Sequence, residues 1–219
     1  RMRQRASPVR PSAWAATAEA AWRAAFERWS VLAAALAGVP GAPAHPKRTA
    51  IRFDKGDGAL LIAEVQRRGE RIRKAAIGVW HYTAEFPDVE AVDVNGDPVM
   101  RSGNSGVYGL IDVRLLGDVA TPDRQLTGFL RIGVADDDVS PIERYIGAGF
   151  TWRGVGLAYA HVHAIAPVRG NEDNLELTWR IPVTGWLTLQ PDIQYIINPG
   201  LEPGSDHALA FGLRFALAY

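Results

Sequence analysis

The chain has 219 residues, 47% of them hydrophobic, which suits one large domain or two small ones and is too apolar for disorder. It has no cysteine, which excludes a disulfide framework and a thiolate metal site. The formal charge balances at zero, but positive charge gathers in the first fifty residues, almost wholly as arginine. No basic patch interleaved with stacking aromatics argues for nucleic acid.

Residues 1–46 differ from everything after them and form the first of two expected regions, the second being 47–219. SAWAATAEAAWRAAFERWSVLAAALAG reads as one amphipathic helix, with Ser12 as a cap and Gly38 and Pro40 as its end. Trp14, Ala18, Trp22, Phe26 and Trp29 share its apolar face, which fits an ordinary helix packed on something apolar or an interfacial helix. The ALA at 35–37 resembles an export cleavage site, but the apolar run is short and Glu27 stands just before it.

From residue 47 the period changes to two. Strands are expected at 48–54, 59–67, 75–86, 106–116, 125–135, 143–153, 155–164, 174–183, 186–198 and 206–219, with the longest loop at 87–104. That makes about ten strands of roughly ten residues, the length a tilted strand needs to cross a bilayer. The last strand shows the pattern most plainly. Leu209, Phe211, Leu213, Phe215, Leu217 and Tyr219 take one face, and Ala208, Ala210, Gly212, Arg214, Ala216 and Ala218 the other. Pro182 and Pro191 cannot donate to a ladder and predict strand ends or bulges. The links alternate between a long set (87–104, 136–142, 165–173, 199–205) and a set with the shortest turns (154, 184–185), with 55–58 and 117–124 running against the trend. Such asymmetry is expected of a transmembrane barrel.

The fold expected is therefore all-β, an antiparallel transmembrane β-barrel, partial at about ten strands, with an N-terminal amphipathic helix. The competing reading is a soluble β-sandwich or barrel acting as a non-catalytic binding module, whose strands would be nearer five or six residues. Strand parity names ten residues for a polar, lumen-lining wall: Glu64, Asp112, Arg114, Arg131, Glu176, Arg180, Gln190, Asp192, Gln194 and Arg214. Each can also be a solvated or salt-bridged wall residue with no part in selectivity. Nothing points to an enzyme or a cofactor. There is no GxSxG elbow, no phosphate-binding glycine loop and no nucleophile–base pair. His161 and His163 share a strand face, but no partner at convincing spacing completes a metal site.

NLELTWRIPVTGWLTLQPDIQYIINPG at 174–200 resembles the signature near the end of the OprB-type carbohydrate-selective porins. IGVWHYTAEF, SGVYGLIDVRL, GFLRIGVAD, YIGAGFTWRG and FGLRFALAY resemble further strands of that family in the right order, so the likeness covers about residues 59–219. It implies passive diffusion of mono- or oligosaccharides through a polar lumen in the outer membrane of a Gram-negative cell. The implied partners are sugars and outer-membrane lipid, with self-association into a homo-oligomer left open. Family members are roughly twice as long. The family's first half is absent, residues 1–46 resemble nothing in it, and a segment after the GAG strand is missing. A half barrel would have to close smaller or pair with another chain, because lipid does not tolerate open sheet edges.

Overall fold

The computed structural model describes residues 18–38, 58–121, 124–165, 169–202 and 204–218. Among them lie twelve strands: β1 (Ala18–Phe26), β2 (Trp29–Ala37), β3 (Ala59–Arg67), β4 (Ile72–Val92), β5 (Pro98–Leu116), β6 (Leu126–Ala135), β7 (Ile142–Trp152), β8 (Val155–Ala164), β9 (Gly170–Trp179), β10 (Ile181–Pro182), β11 (Leu187–Ile197) and β12 (Ala208–Leu217). Hydrogen-bonded neighbours follow the sequence from β1 to β9. β11 then pairs with β9, β10 and β12. Among the described residues β1 and β12 each have one partner strand, so the sheet is open and no closed barrel forms. The chain divides into two compact units. One takes in the described residues up to Arg67, Ala76–Tyr108 and Ala135–Ser140; the other takes in Arg68–Ala75, Gly109–Val134 and the described residues from Pro141 onward.

In the first unit the expected helix is replaced by a β-hairpin. β1 and β2 pair from Ala18↔Leu36 to Phe26↔Trp29 around Glu27–Arg28, and Glu27 turns the chain at φ 50. The spacing of four between Trp22 and Phe26 fits a helical face, but it also keeps both on one side of a strand. The alanines around them decide nothing. What a helix would hide, the hairpin leaves open: Trp22, Phe26 and Trp29 are each more than half exposed on one face. The other face carries Ser30 opposite Gln66 and Leu32 opposite Glu64, and both Ser30 and Gln66 are buried. Residues 12–17 of the expected helix and the strand expected at 48–54 lie outside the described residues.

The long loop expected at 87–104 is likewise strand for most of its length. Pro87 and Gly103 lie inside β4 and β5, and only residues 93–97 turn. Gly96 supplies the left-handed residue at φ 87. Asp93 accepts the backbone N–H of Asn95 at 2.8 Å and of Asp97 at 3.0 Å. Those two donors stabilise the charged carboxylate and hold its pKa below the ordinary 3.8. A depressed folded pKa means that this contribution to the turn is complete above 3.8 and is lost as pH falls through the folded value. The amide shifts of Asn95 and Asp97 should therefore titrate with a midpoint below 3.8 and lose the transition in Asp93→Ala; a midpoint at or above that value contradicts the assignment.

In the second unit β6 through β9 pair antiparallel, with one register shift between Ile142 and Arg144 where β7 meets β8, and Arg153–Gly154 joins β7 to β8 with both residues at positive φ, as tight hairpins require. Pro182 closes β10 as expected, whereas Pro191 lies inside β11, opposite Leu213 of β12, and interrupts only the ladder toward β9. The β9–β11 ladder stops at Asp192↔Thr178, beside Pro191, and resumes as β10 at Ile181↔Leu189, where Pro182 ends it.

Among the described residues each unit is sheet without a second layer. No large side chain is fully buried among the described residues, and the buried apolar set is Ala37, Ala76, Val139 and Ala164. Phe211 is 72% exposed, Leu213 54% and Phe215 63%. Between exposed Leu130 and Ile132, Arg131 is half-buried; between exposed Leu175 and Leu177, Glu176 is half-buried. Water-soluble sheets show the reverse. No helix among the described residues is long and apolar enough to cross a membrane.

Candidate functional site

The polar faces of the strands form two walls, one in each unit. In the first unit Glu64 accepts a hydrogen bond from the Tyr108 hydroxyl at 2.9 Å. Tyr108 can lie against the sheet because Gly78 stands beneath it; a Cβ there would meet the ring at 2.2 Å. Trp80 uses Gly106 in the same way. On the same strand as Trp80, Asp88 is tied to Arg101 at 2.5 Å.

In the second unit Arg131 holds Asp112 at 2.5 Å and also donates to the carbonyls of Ile111 (3.0 Å) and Leu130 (2.9 Å). Its guanidinium carbon stands 5.2 Å from the centre of the Phe129 ring. So many fixed contacts make Arg131 and Asp112 a brace in the wall. Arg114 is half-buried near the end of β5, where its N–H donates to the Arg71 carbonyl.

The remaining six sequence candidates come together on β9, the link that follows it, β11 and β12. Across β9 and β11, Glu176 faces Gln194 and Thr178 faces Asp192; across β11 and β12, Gln190 faces Arg214 and Asp192 faces Gly212. Asn174 donates to the Gln194 carbonyl oxygen at 3.1 Å, and the Gln194 amide donates to Asp192 at 3.1 Å. Gln190 donates to the Thr178 hydroxyl at 3.0 Å, which in turn donates to the Pro191 carbonyl at 3.2 Å. Asp192 lies over Gly212, where a Cβ would come within 2.3 Å of its carboxylate. The Asn174 carbonyl oxygen is buried with no hydrogen-bond partner. Amide and carboxylate chains of this kind exchange hydrogen bonds readily with hydroxyl groups. Arg180 and Arg214 are exposed at the end of the strands where Arg153–Gly154 turns.

Arg180 lines a recess of about 320 Å³ together with Arg73, Arg153, Gln125, Thr178 and Gln190. Thr127 and Thr151, which share a 2.6 Å hydrogen bond, line it too. Alternation along a strand could have picked out Thr178 and Thr127. It gave no hint of Arg73 or Arg153, because parity does not carry through turns. The histidines belong to the other face. His161 bonds Asp173 at 2.8 Å and His163 bonds Asn171 at 2.6 Å, so His161 does have the acidic partner the spacing did not suggest. No group of three metal-binding side chains occurs among the described residues.

The chain is 24% identical to Porin B of Pseudomonas aeruginosa, over 65% of its own length and 40% of that protein. The solved high-pH structure of Pseudomonas putida OprB is similar at a TM-score of 0.76 with 21% identity, covering 90% of this chain and 58% of that one. The chain thus spans about two fifths of the curated relative and less than two thirds of the structural one. The family profile described as "Carbohydrate-selective porin, OprB family" matches residues 5–219, which takes in the N-terminal stretch where the sequence alone showed no likeness. With nearly its whole length inside that match, the chain belongs to the carbohydrate-selective porins of the OprB family.

Proposed function

We propose that this chain supplies wall strands of an outer-membrane channel through which sugars diffuse passively. The observation that carries the reading is the inversion of faces. Large apolar side chains such as Phe211, Leu213 and Leu177 stand exposed, while Glu176, Asp192 and Gln194 on the opposite sides are half-buried and linked across strands. Hydrocarbon suits the first face and a water column the second. Along the wall Glu64, Glu176, Asp192 and Gln194 offer acceptors to sugar hydroxyls, Gln190, Arg180 and Arg214 offer donors, and Asp112, Arg114 and Arg131 shape the wall. Membrane insertion requires that the edges of β1 and β12 without a partner strand among the described residues be met, by further strands of the same protein or by a second copy, because an unpaired backbone group costs several kcal/mol in lipid. A soluble binding module would need a second layer over the apolar faces.

The test is transport. Proteoliposomes containing the protein should swell in isotonic glucose faster than empty vesicles, and the double change Asp192→Ala with Gln194→Ala should alter that rate while β-sheet circular dichroism is kept. Swelling no faster than in empty vesicles defeats the proposal.

A further inference from the structure

The arginine recess of the second unit is more specialised than a generally polar wall. Arg73, Arg153 and Arg180 line about 320 Å³, and no carboxylate lines it with them. The adjoining recess shares Arg73 and Thr127 and adds Arg68 and Lys74. Its acid, Asp112, is already held by Arg131 at 2.5 Å. The Arg153 guanidinium carbon stands 4.8 Å from the centre of the ring of Trp152, a residue of the strand face opposite to Thr151, so Arg153 borders the recess from the turn. Like charges gathered in one recess repel, and an oxyanion entering it relieves the repulsion and meets planar donor forks shaped for it. The rest of the lining is neutral and hydrogen-bonding: the Thr127–Thr151 hydroxyl pair, the Thr178–Gln190 pair and Gln125. Hydroxyls and amides match a polyhydroxylated skeleton.

We infer that this recess binds sugars that carry a carboxylate, the oxyanion on the arginines and the hydroxyls on the threonine–glutamine side. The inference rests on the channel reading above and adds a preference for charged over neutral sugar.

The experiment is conductance block of the protein in planar bilayers, with glucuronate, glucose, acetate and inorganic phosphate as probes. Glucuronate should reach half-block at a concentration roughly tenfold below that of glucose, about what one charge-assisted contact supplies. Arg73→Gln should raise the glucuronate value roughly three- to tenfold and leave that of glucose nearly unmoved, and Arg180→Gln should raise the glucuronate value by a clearly larger factor than that of glucose. Arg153→Gln, at the rim, gives an independent variant should either of the others fail to insert. Equal block by glucuronate and glucose, or a glucuronate value indifferent to all three changes, overturns the inference while glucose transport stands. Block by acetate or phosphate as strong as by glucuronate reduces the recess to a plain anion site and also overturns it. A protein that passes no sugar at all fails the channel proposal instead.

Discussion

Leu177→Arg is expected to cost about 2–4 kcal/mol of stability in a lipid bilayer, the measured range for a cation placed on the lipid face of a barrel near the midplane. Leu177 is 49% exposed and lies opposite Leu157 on β8 and Ile193 on β11, so in the proposed channel a charge there would meet hydrocarbon. Ala158→Arg adds the same charge on the other face of the same sheet, directly opposite Glu176. Opposite charges facing each other across strands contribute roughly 0.2–1 kcal/mol in favour, so this variant should fold close to wild type. Urea titrations of folding into vesicles measure both. Equal losses would mean that the two faces see the same surroundings, which the account does not allow.

Gly149→Ala is expected to be the most damaging small change in the wall. A Cβ at Gly149 would sit 2.6 Å from the Leu157 carbonyl oxygen and 2.7 Å from the Phe129 ring. The ring can swing away, but the carbonyl belongs to the β7–β8 pairing and cannot move alone. Overpacking of this kind costs about 1–3 kcal/mol. Gly185→Ala is the matched control, since nothing lies within 4 Å of the added atom. The same urea titration should separate them, and a Gly149→Ala protein as stable as Gly185→Ala would contradict the close approach of Phe129 and Leu157 to that backbone.

The glycine positions explain part of what the sequence could and could not disclose. Strands β9 and β11 were legible because large apolar residues alternate with polar ones along most of their length, as in Leu175-Glu176-Leu177-Thr178, and β12 because they alternate with small ones. Pro191 and Pro182 announced the break between β9 and β10 because a missing N–H has one local consequence. β1 and β2 were not legible. Alanine carries no periodicity, and aromatic residues four apart satisfy strand and helix alike. The 87–104 stretch misled because Pro87 and Gly103 are turn-forming residues that here sit within strands, while the turn is made by Asp93 and Gly96. Of the wall, parity found the residues in the middle of strands, such as Asp192 and Gln194, which hydrogen-bond each other. It missed Arg73 and Arg153, which reach the recess from near the turns, and nothing in the sequence foretold that Trp80 and Tyr108 would lie flat over Gly106 and Gly78.

The central claim is that one face of each strand meets lipid and the other meets water. The protein has no cysteine, so single cysteines can be introduced one at a time from Asn174 to Trp179, along a strand paired on both sides. In vesicles, a water-soluble maleimide should label positions 174, 176 and 178, and a nitroxide lipid should quench fluorophores attached at 175, 177 and 179. Uniform labelling along the strand, or the same alternation with the two sets exchanged, would contradict the account.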